Sequence, residues 1–516
     1  MRQKLYIISI LTVLIIGAAS RLWLLDVRPM HTDEAVHAVK FGYLLEDNYY
    51  RYDPSDYHGP ILNYLTLIPV KLAGIKVFEH LSEFDLRIVP AFGGILLMLM
   101  PLFLWDTKDR RTSLICCFLI AVSPALVYYS RYYIQEIFLV LFSYGFVLCF
   151  CNYLRRRKPA DIILAGLFLG LMIVTKETFI ISIAAIVPAF TLANANSGGT
   201  KLDRIFFKNI VKTRHAYLFI FIAAGVYVLF YSSFFSNMSG ISYPVSNWGS
   251  YAAKGAGESV HNHPWYYYLK LLLYSKASNG FVFSEALILL TAALGCYEIL
   301  FSKRAEYCFQ CRFIAAYSVS LLLIYSVIPY KTPWCMLTFY YGFTIVAAIY
   351  WGRISTCCCL KMKNIAASAI ICIIICVQLI ECYFVNFVFY CDSSNPYAYS
   401  HPTEDVKMFS LIIDEYREVS GYEDISIAVA ASGNDYWPLP WYLRKFSNVG
   451  YYDDVEQIKD PFDVVVVSEK MNSSLAEMIY DREKPGERSL WIYLSDNQLE
   501  IRPDVRFDVY AKDFNE

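Results

Sequence analysis

The chain has 516 residues, 57% of them hydrophobic and 17% aromatic, with only 18% charged and a formal net charge of −1. Soluble globular chains average about 25% charged residues, so this composition excludes a wholly soluble protein. The apolar excess is uneven: long apolar runs recur from Tyr6 to about Asn386, and the remaining tail has ordinary soluble composition.

A window of about 20 apolar residues, the length that crosses a bilayer, selects eleven spans: 5–25, 86–105, 112–129, 133–153, 160–176, 178–195, 215–235, 281–301, 313–329, 335–352 and 364–387. The first run is too long for a signal-peptide core and lacks a small-residue cleavage site, so a retained first span is expected. With the N-terminus cytoplasmic, the short inner segments 1–4, 106–111, 154–159, 196–214, 302–312 and 353–363 are rich in Lys and Arg, including Arg155, Arg156, Arg157 and Lys158. The outer segments are longer and less basic, which fixes the orientation. Residues 26–85, 236–280 and the tail are then extracytoplasmic, as are all the histidines except His215.

The fold expected is an all-α polytopic membrane domain over 1–390, with outer loops 26–85 and 236–280, followed by a small extracytoplasmic α/β domain over 391–516. Within the first outer loop, DEAVHAVKFGYLLED (33–47) and GPILNYLTLIPVKLAG (59–74) read as helices lying on the membrane surface. In the tail, residues 404–420 form an amphipathic helix, while DISIAVAA, DVVVVSE, SLWIYL and FDVYA read as strands. The aromatic and proline-rich NDYWPLPWYLR suits a seam docking this domain onto the membrane part, or a sugar-stacking surface.

Cysteines such as Cys116, Cys149 and Cys376 fall in apolar runs, where cysteine behaves as a small hydrophobe. Cys308 and Cys311 have CxxC spacing, with Cys357–Cys359 on the same expected side; a lone CxxC does not define a zinc site.

The chemistry expected centres on MHTDEAVHAV (30–39). On a helix, Asp33 and Glu34 share a face with His37. Acids in a first turn also serve the helix dipole. Adjacent acids flanked by His31 and His37 suggest a general base beside a metal- or phosphate-binding group. Cationic or hydrogen-bonding groups come from other outer turns: His58 before Gly59-Pro60, Arg131 in YYSRYYIQE, His261 and His263 in HNHPW, and Tyr330 and Lys331 in PYKTPW. Arginine suits bidentate capture of phosphate. TKET (175–178) reads as a local Lys176–Glu177 ion pair.

The order of the motifs TDEAVHA, HGPILNYL, FDLRIVPAFGGILL, SRYYIQEIFLVL and GLFLGLMIVTKET resembles the GT-C glycosyltransferase superfamily, in particular the protein O-mannosyltransferase and aminoarabinose-transferase group. The stretches YHGP, HPWYYYL, PYKTPW and WPLPWYLR resemble a flippase-activity-associated family of archaeal and bacterial membrane proteins. The resemblance implies a GT-C-like fold and transfer of a sugar from a polyprenyl-phosphate lipid to an acceptor hydroxyl on a protein, lipid or glycan at the outer face. Nucleic acid has no part. Asp33 would then be the base and Glu34 its supporting acid. Arg131 would hold the donor phosphate, with His58, His261, Lys331 and Tyr330 as further contacts. No redox cofactor is implied; a divalent metal, on Asp33, Glu34, His37, His58 and His263, stays open. The competing expectation is a non-catalytic lipid-sugar-binding partner of a flippase or glycosylation complex.

Overall fold

A computed structural model of the chain describes residues 3–50, 52, 58–104, 110–195, 214–244, 257, 259–277, 280–301, 307–356, 365–422, 424–482, 488–495 and 497–513. Residues 196–213 of the expected inner segment 196–214, and the Cys357–Cys359 run, lie outside these residues.

Each expected span coincides with helix. In chain order the helices are α1 (Gln3–Leu22), α2 (Thr32–Asp47), α3 (Ile61–Leu72), α4 (Glu83–Leu99), α5 (Arg110–Val122), α6 (Pro124–Ser130), α7 (Glu136–Arg156), α8 (Pro159–Ile173), α9 (Phe179–Ala184), α10 (Ile186–Ala195), α11 (Arg214–Tyr231), α12 (Tyr267–Leu273), α13 (Ala286–Phe301), α14 (Phe309–Val327), α15 (Leu337–Thr356) and α16 (Ile365–Tyr383). Among the described residues, six helices are long and apolar enough to cross a membrane, or seven counting the bent pair α5–α6; shorter apolar helices occupy the other spans. The protein is thus a multi-pass membrane protein. The expected surface helices are α2 and α3.

The span expected over 112–129 is not straight. Its two halves meet at 64°. Ser123 accepts a hydrogen bond from the Leu126 N–H and Pro124 opens the second half, which together restart a helix rather than continue one. Elsewhere close packing rests on small residues. A Cβ on Gly166 of α8 would lie 2.7 Å from the Phe219 carbonyl of α11, and one on Gly170 would lie 2.6 Å from Val226. Two glycines four apart let these helices approach backbone to backbone.

The tail forms a six-stranded mixed sheet beside α17 (Met408–Ser420), α18 (Leu439–Tyr442) and α19 (Asn472–Arg482). The short β1 (Ser275–Lys276) and β2 (Val282–Phe283) pair before α13. In the tail sheet, β3 (Ser426–Ala430) pairs in parallel with β4 (Asn448–Tyr452) and with β5 (Val464–Ser468). β5 pairs antiparallel with β8 (Val505–Lys512), which also pairs with β6 (Trp491–Tyr493) and β7 (Leu499–Arg502). The four valines of β5 are fully buried. Val464 and Val466 belong to the core continuous with the membrane bundle, and Val465 and Val467 to the core that includes Leu475 of α19. That alternation is the period of a strand buried on both faces.

The proline-rich stretch is the docking seam. Trp441 and Tyr442 are buried. The Trp441 indole N–H donates to Glu83 (2.9 Å), Arg444 donates to the Leu81 carbonyl (2.6 Å), and the Tyr442 hydroxyl accepts the Met30 N–H (2.8 Å). The α/β domain therefore sits at the same end of the bundle as loop 26–85. Cys308 and the tip of α7 lie at the other end.

Candidate functional site

Residues 31–34 start α2 with an unusual capping box. The His31 ring Nδ1 accepts the Asp33 N–H (3.0 Å), and Glu34 Oε2 accepts the His31 N–H (3.0 Å). These bonds satisfy donors left over at a helix start. Because Nδ1 accepts, the proton is assigned to Nε2, which donates to the Tyr399 carbonyl (3.0 Å). Burial lowers the His31 pKa and keeps the ring neutral, against the pull of Asp33 and Glu34. The ring packs against Tyr132, Trp334 and His401, so one histidine joins α2 to the linker before the α/β domain.

Glu34, expected as a supporting acid or metal ligand, is enclosed by the frame of the protein. It is fully buried, and both its oxygens are engaged. Arg87 of α4 grips it through two 2.8 Å bonds. The Tyr133 N–H donates to it at 2.8 Å, and Arg28 lies 3.5 Å away. Arg87 also donates to the carbonyls of Leu25, Arg28 and Pro29. Burial alone would raise the Glu34 pKa, but the charges of Arg87 and Arg28 hold it well below the usual carboxylate range. The pair ties together the end of the first span, α2, α4 and the turn after α6.

Asp33, one residue earlier, is its opposite. It is partly exposed, and among the described residues nothing hydrogen-bonds or ion-pairs with its carboxylate. Its charge acts on His31, Tyr132, His261 and Tyr330. The structure therefore brings together Asp33, His261 and Tyr330 of the expected set. His261 bonds the Tyr399 hydroxyl (2.7 Å), and its ring meets Tyr330 edge to face at 5.0 Å. Burial pushes the His261 pKa down and the Tyr330 hydroxyl up to about 12.

Lys331 and Arg131, expected at the donor phosphate and substrate, both engage backbone carbonyls. Lys331 donates to the carbonyls of His263 (3.0 Å) and Ile328, while its N–H bonds the His261 carbonyl (2.9 Å). With the Asn262–Tyr330 bridge, it fastens the loop before α12 to the loop after α14. Arg131 turns back under α1 and donates to the carbonyls of Ser20, Arg21, Trp23 and Leu24. A helix end leaves its last carbonyls unpaired, and a single guanidinium collects them here. It is buried and has no bond to spare on that edge.

A second group lies one turn further along α2. His37 is buried, bonded to Gln135 (3.4 Å), and its pKa is driven well down by burial and by the nearby His58, Lys40 and Lys176. His58 pairs with Glu177 at 2.7 Å. Burial would raise the Glu177 pKa, but His58 holds it down. This geometry requires Gly59, whose N–H donates to the Thr175 carbonyl (3.1 Å) while the Ile61 N–H donates to the Val174 carbonyl (3.2 Å); a Cβ on Gly59 would meet the Val174 carbonyl at 2.1 Å. The expected Lys176–Glu177 pair gives way to Lys176–Glu136 and His58–Glu177. The expected metal set of Asp33, Glu34, His37, His58 and His263 does not converge: among the described residues no three such groups can hold one ion. His263 instead stacks on Tyr267 at 4.2 Å.

Arg28, Arg87, Lys40 and Tyr399 were not foreseen. Lys40 carried a signal, since it follows Asp33 by seven residues on the same face of α2.

The fold of the bundle is GT-C-like, as its likeness to solved membrane glycosyltransferase structures shows. The profile described as dolichyl-phosphate-mannose-protein mannosyltransferase matches residues 58–207. Crystal structures agree over nearly the whole chain. ArnT from Cupriavidus metallidurans bound to undecaprenyl phosphate superposes with a TM-score of 0.62 at 13% identity, covering 99% of this chain and 98% of that one. The Archaeoglobus fulgidus oligosaccharyltransferase tethered to an acceptor peptide gives 0.54 at 13% identity, over 87% and 64%. The archaeal oligosaccharyltransferase AglB from Archaeoglobus fulgidus with an inhibitory peptide and a dolichol-phosphate gives 0.53 at 12%, over 90% and 69%. No curated protein matches the chain in sequence.

Proposed function

We propose that the protein transfers a sugar from a polyprenyl-phosphate donor to an acceptor hydroxyl at the outer membrane face, with Asp33 as general base. The observation that carries this reading is the contrast within one pair of carboxylates: Glu34 is consumed by the frame, while Asp33 stands partly exposed with no hydrogen-bond or ion-pair partner among the described residues. A base must reach the proton it removes, and only the second acid meets that need.

In the reaction, the acceptor oxygen attacks the anomeric carbon as the bond to the lipid phosphate breaks. Asp33 takes the acceptor proton, and direct displacement inverts the anomeric centre. His261 and Tyr330 flank the acid, Lys40 brings positive charge one turn and more along α2, and His58 stands beside His37 from the turn before α3. Such groups stabilise the charge that grows on a leaving phosphate. Arg131 and Lys331 fix the walls between which these groups stand. The basic bias of the segments at the opposite end supports an outward-facing site, and the GT-C structures holding undecaprenyl phosphate or dolichol-phosphate support the donor class.

The test is transfer of labelled sugar from a polyprenyl-phosphate donor by the purified protein. Asp33→Asn is expected to lower turnover by roughly 10²–10⁴-fold, the usual contribution of a positioned base, with polyprenyl-phosphate binding retained. Wild type and variant that bind the lipid equally and are equally inert would instead mark a non-catalytic partner.

A further inference from the structure

At the end of the bundle opposite Asp33, a second chemistry stands independent of sugar transfer. Cys308 is the N-terminal cap of α14, and Cys311 lies in the helix's first turn. Their sulfurs are 3.4 Å apart. Cys308 is exposed and Cys311 is buried. The turn is anchored on its other flank, where Arg353 donates to the Tyr307 hydroxyl (2.5 Å) and pairs with Glu298.

This arrangement favours a thiolate on Cys308 alone. Its sulfur accepts from the Cys311 thiol first, then from the N–H groups of Cys311 and Gln310, with the Arg155 charge nearby. These outweigh burial and bring the Cys308 thiol down to about 6. Thiolates at helix starts beside cations are reactive ones. By contrast Cys151, close enough to interact with Cys308, is fully buried among apolar side chains.

We propose that Cys308 and Cys311 form a thiol–disulfide exchange site for a low-molecular-weight disulfide, with Cys308 as the attacking sulfur and Cys311 as the resolving one. The Cys308 thiolate attacks one sulfur of the small disulfide, forming a mixed disulfide and releasing one thiolate. Cys311 then gives up its proton and attacks the Cys308 sulfur, closing the intramolecular disulfide and releasing the second small thiol. Two protein thiols are oxidised and one small disulfide is reduced to two thiols, so no other oxidant is needed.

Two measurements on the full-length protein in detergent test this. Cys308 alkylation by iodoacetamide, read by peptide mass, is expected to titrate with a midpoint near 6. At pH 6 it should run about tenfold faster than an ordinary exposed thiol of pKa about 8.5, after allowing for the lower nucleophilicity of a more acidic thiol. With oxidised glutathione, the wild type is expected to lose two hydrogens and keep no adduct. Cys311→Ser should stop at one glutathione on residue 308, and Cys308→Ser should show neither product. A Cys308 that alkylates only as fast as an ordinary thiol overturns the proposal. So does a wild type that keeps its glutathione adduct. The alkylation profile uses unsubstituted protein, so it decides even where a variant does not fold.

Discussion

Exchanging each acid of the Asp33–Glu34 pair for its amide should damage different properties. Glu34→Gln preserves shape but removes the negative charge that pairs with Arg87 and Arg28, both buried. It also puts an amide N–H₂ in place of one of the two oxygens that share five hydrogen-bond or ionic contacts, so that two or three of those donors face another donor. Removing one partner of a buried ion pair costs about 3–5 kcal/mol. Asp33→Asn touches no bond of the folded state, so its stability should stay within about 0.5 kcal/mol of wild type while turnover collapses. Denaturation in mixed micelles, followed by tryptophan fluorescence, gives the first quantity, and the labelled-sugar assay the second. The pH dependence follows. Glu34 titrates lower in the folded protein than its reference value of 4.5, so in that interval the unfolded chain binds more protons. Its contribution is full above about 4.5 and is lost as pH falls through the lower folded value; Glu34→Gln should lack that acid-sensitive component. A Glu34→Gln protein as stable as wild type would refute the assignment of Glu34 to the frame.

Arg131→Lys should destabilise the protein, because one ammonium cannot span four carbonyls, yet leave the KM for the lipid donor unchanged; a raised KM with unchanged stability would restore Arg131 to phosphate binding. Tyr442→Phe leaves the Met30 N–H buried without its acceptor and should cost about 1–3 kcal/mol, read from the same denaturation curves. Trp441→Ala removes the largest buried side chain of the seam and should cost about 3–5 kcal/mol, with faster proteolysis in 391–402 as the second readout.

Much of the architecture was visible in hydropathy, because the bilayer demands a fixed apolar length and each run supplies it. The break at Ser123-Pro124 was not, since a hydropathy window averages across a cap that changes direction without changing polarity. The strands of DISIAVAA and DVVVVSE were legible from their β-branched runs, whereas β4 (NVGYY) and β7 (LEIR) lack such a run and are only partly buried. At the site, the acidic pair was found but its two roles were not. Glu34 meets Arg87 across 53 residues, a distance over which helical spacing carries no information. The carbonyl contacts of Arg131 were hidden for the same reason: they belong to a helix end more than a hundred positions earlier.

The bond from Met30 to Tyr442 joins the α/β domain to the chain three residues before Asp33. His31 makes a second join, to Tyr399 in the linker leading to that domain. Tilting the domain therefore pulls on the cap that orients the free carboxylate. Displacement of the domain would be felt at Asp33 through two hydrogen bonds, which makes the tail a lever on the start of the helix that carries this acid.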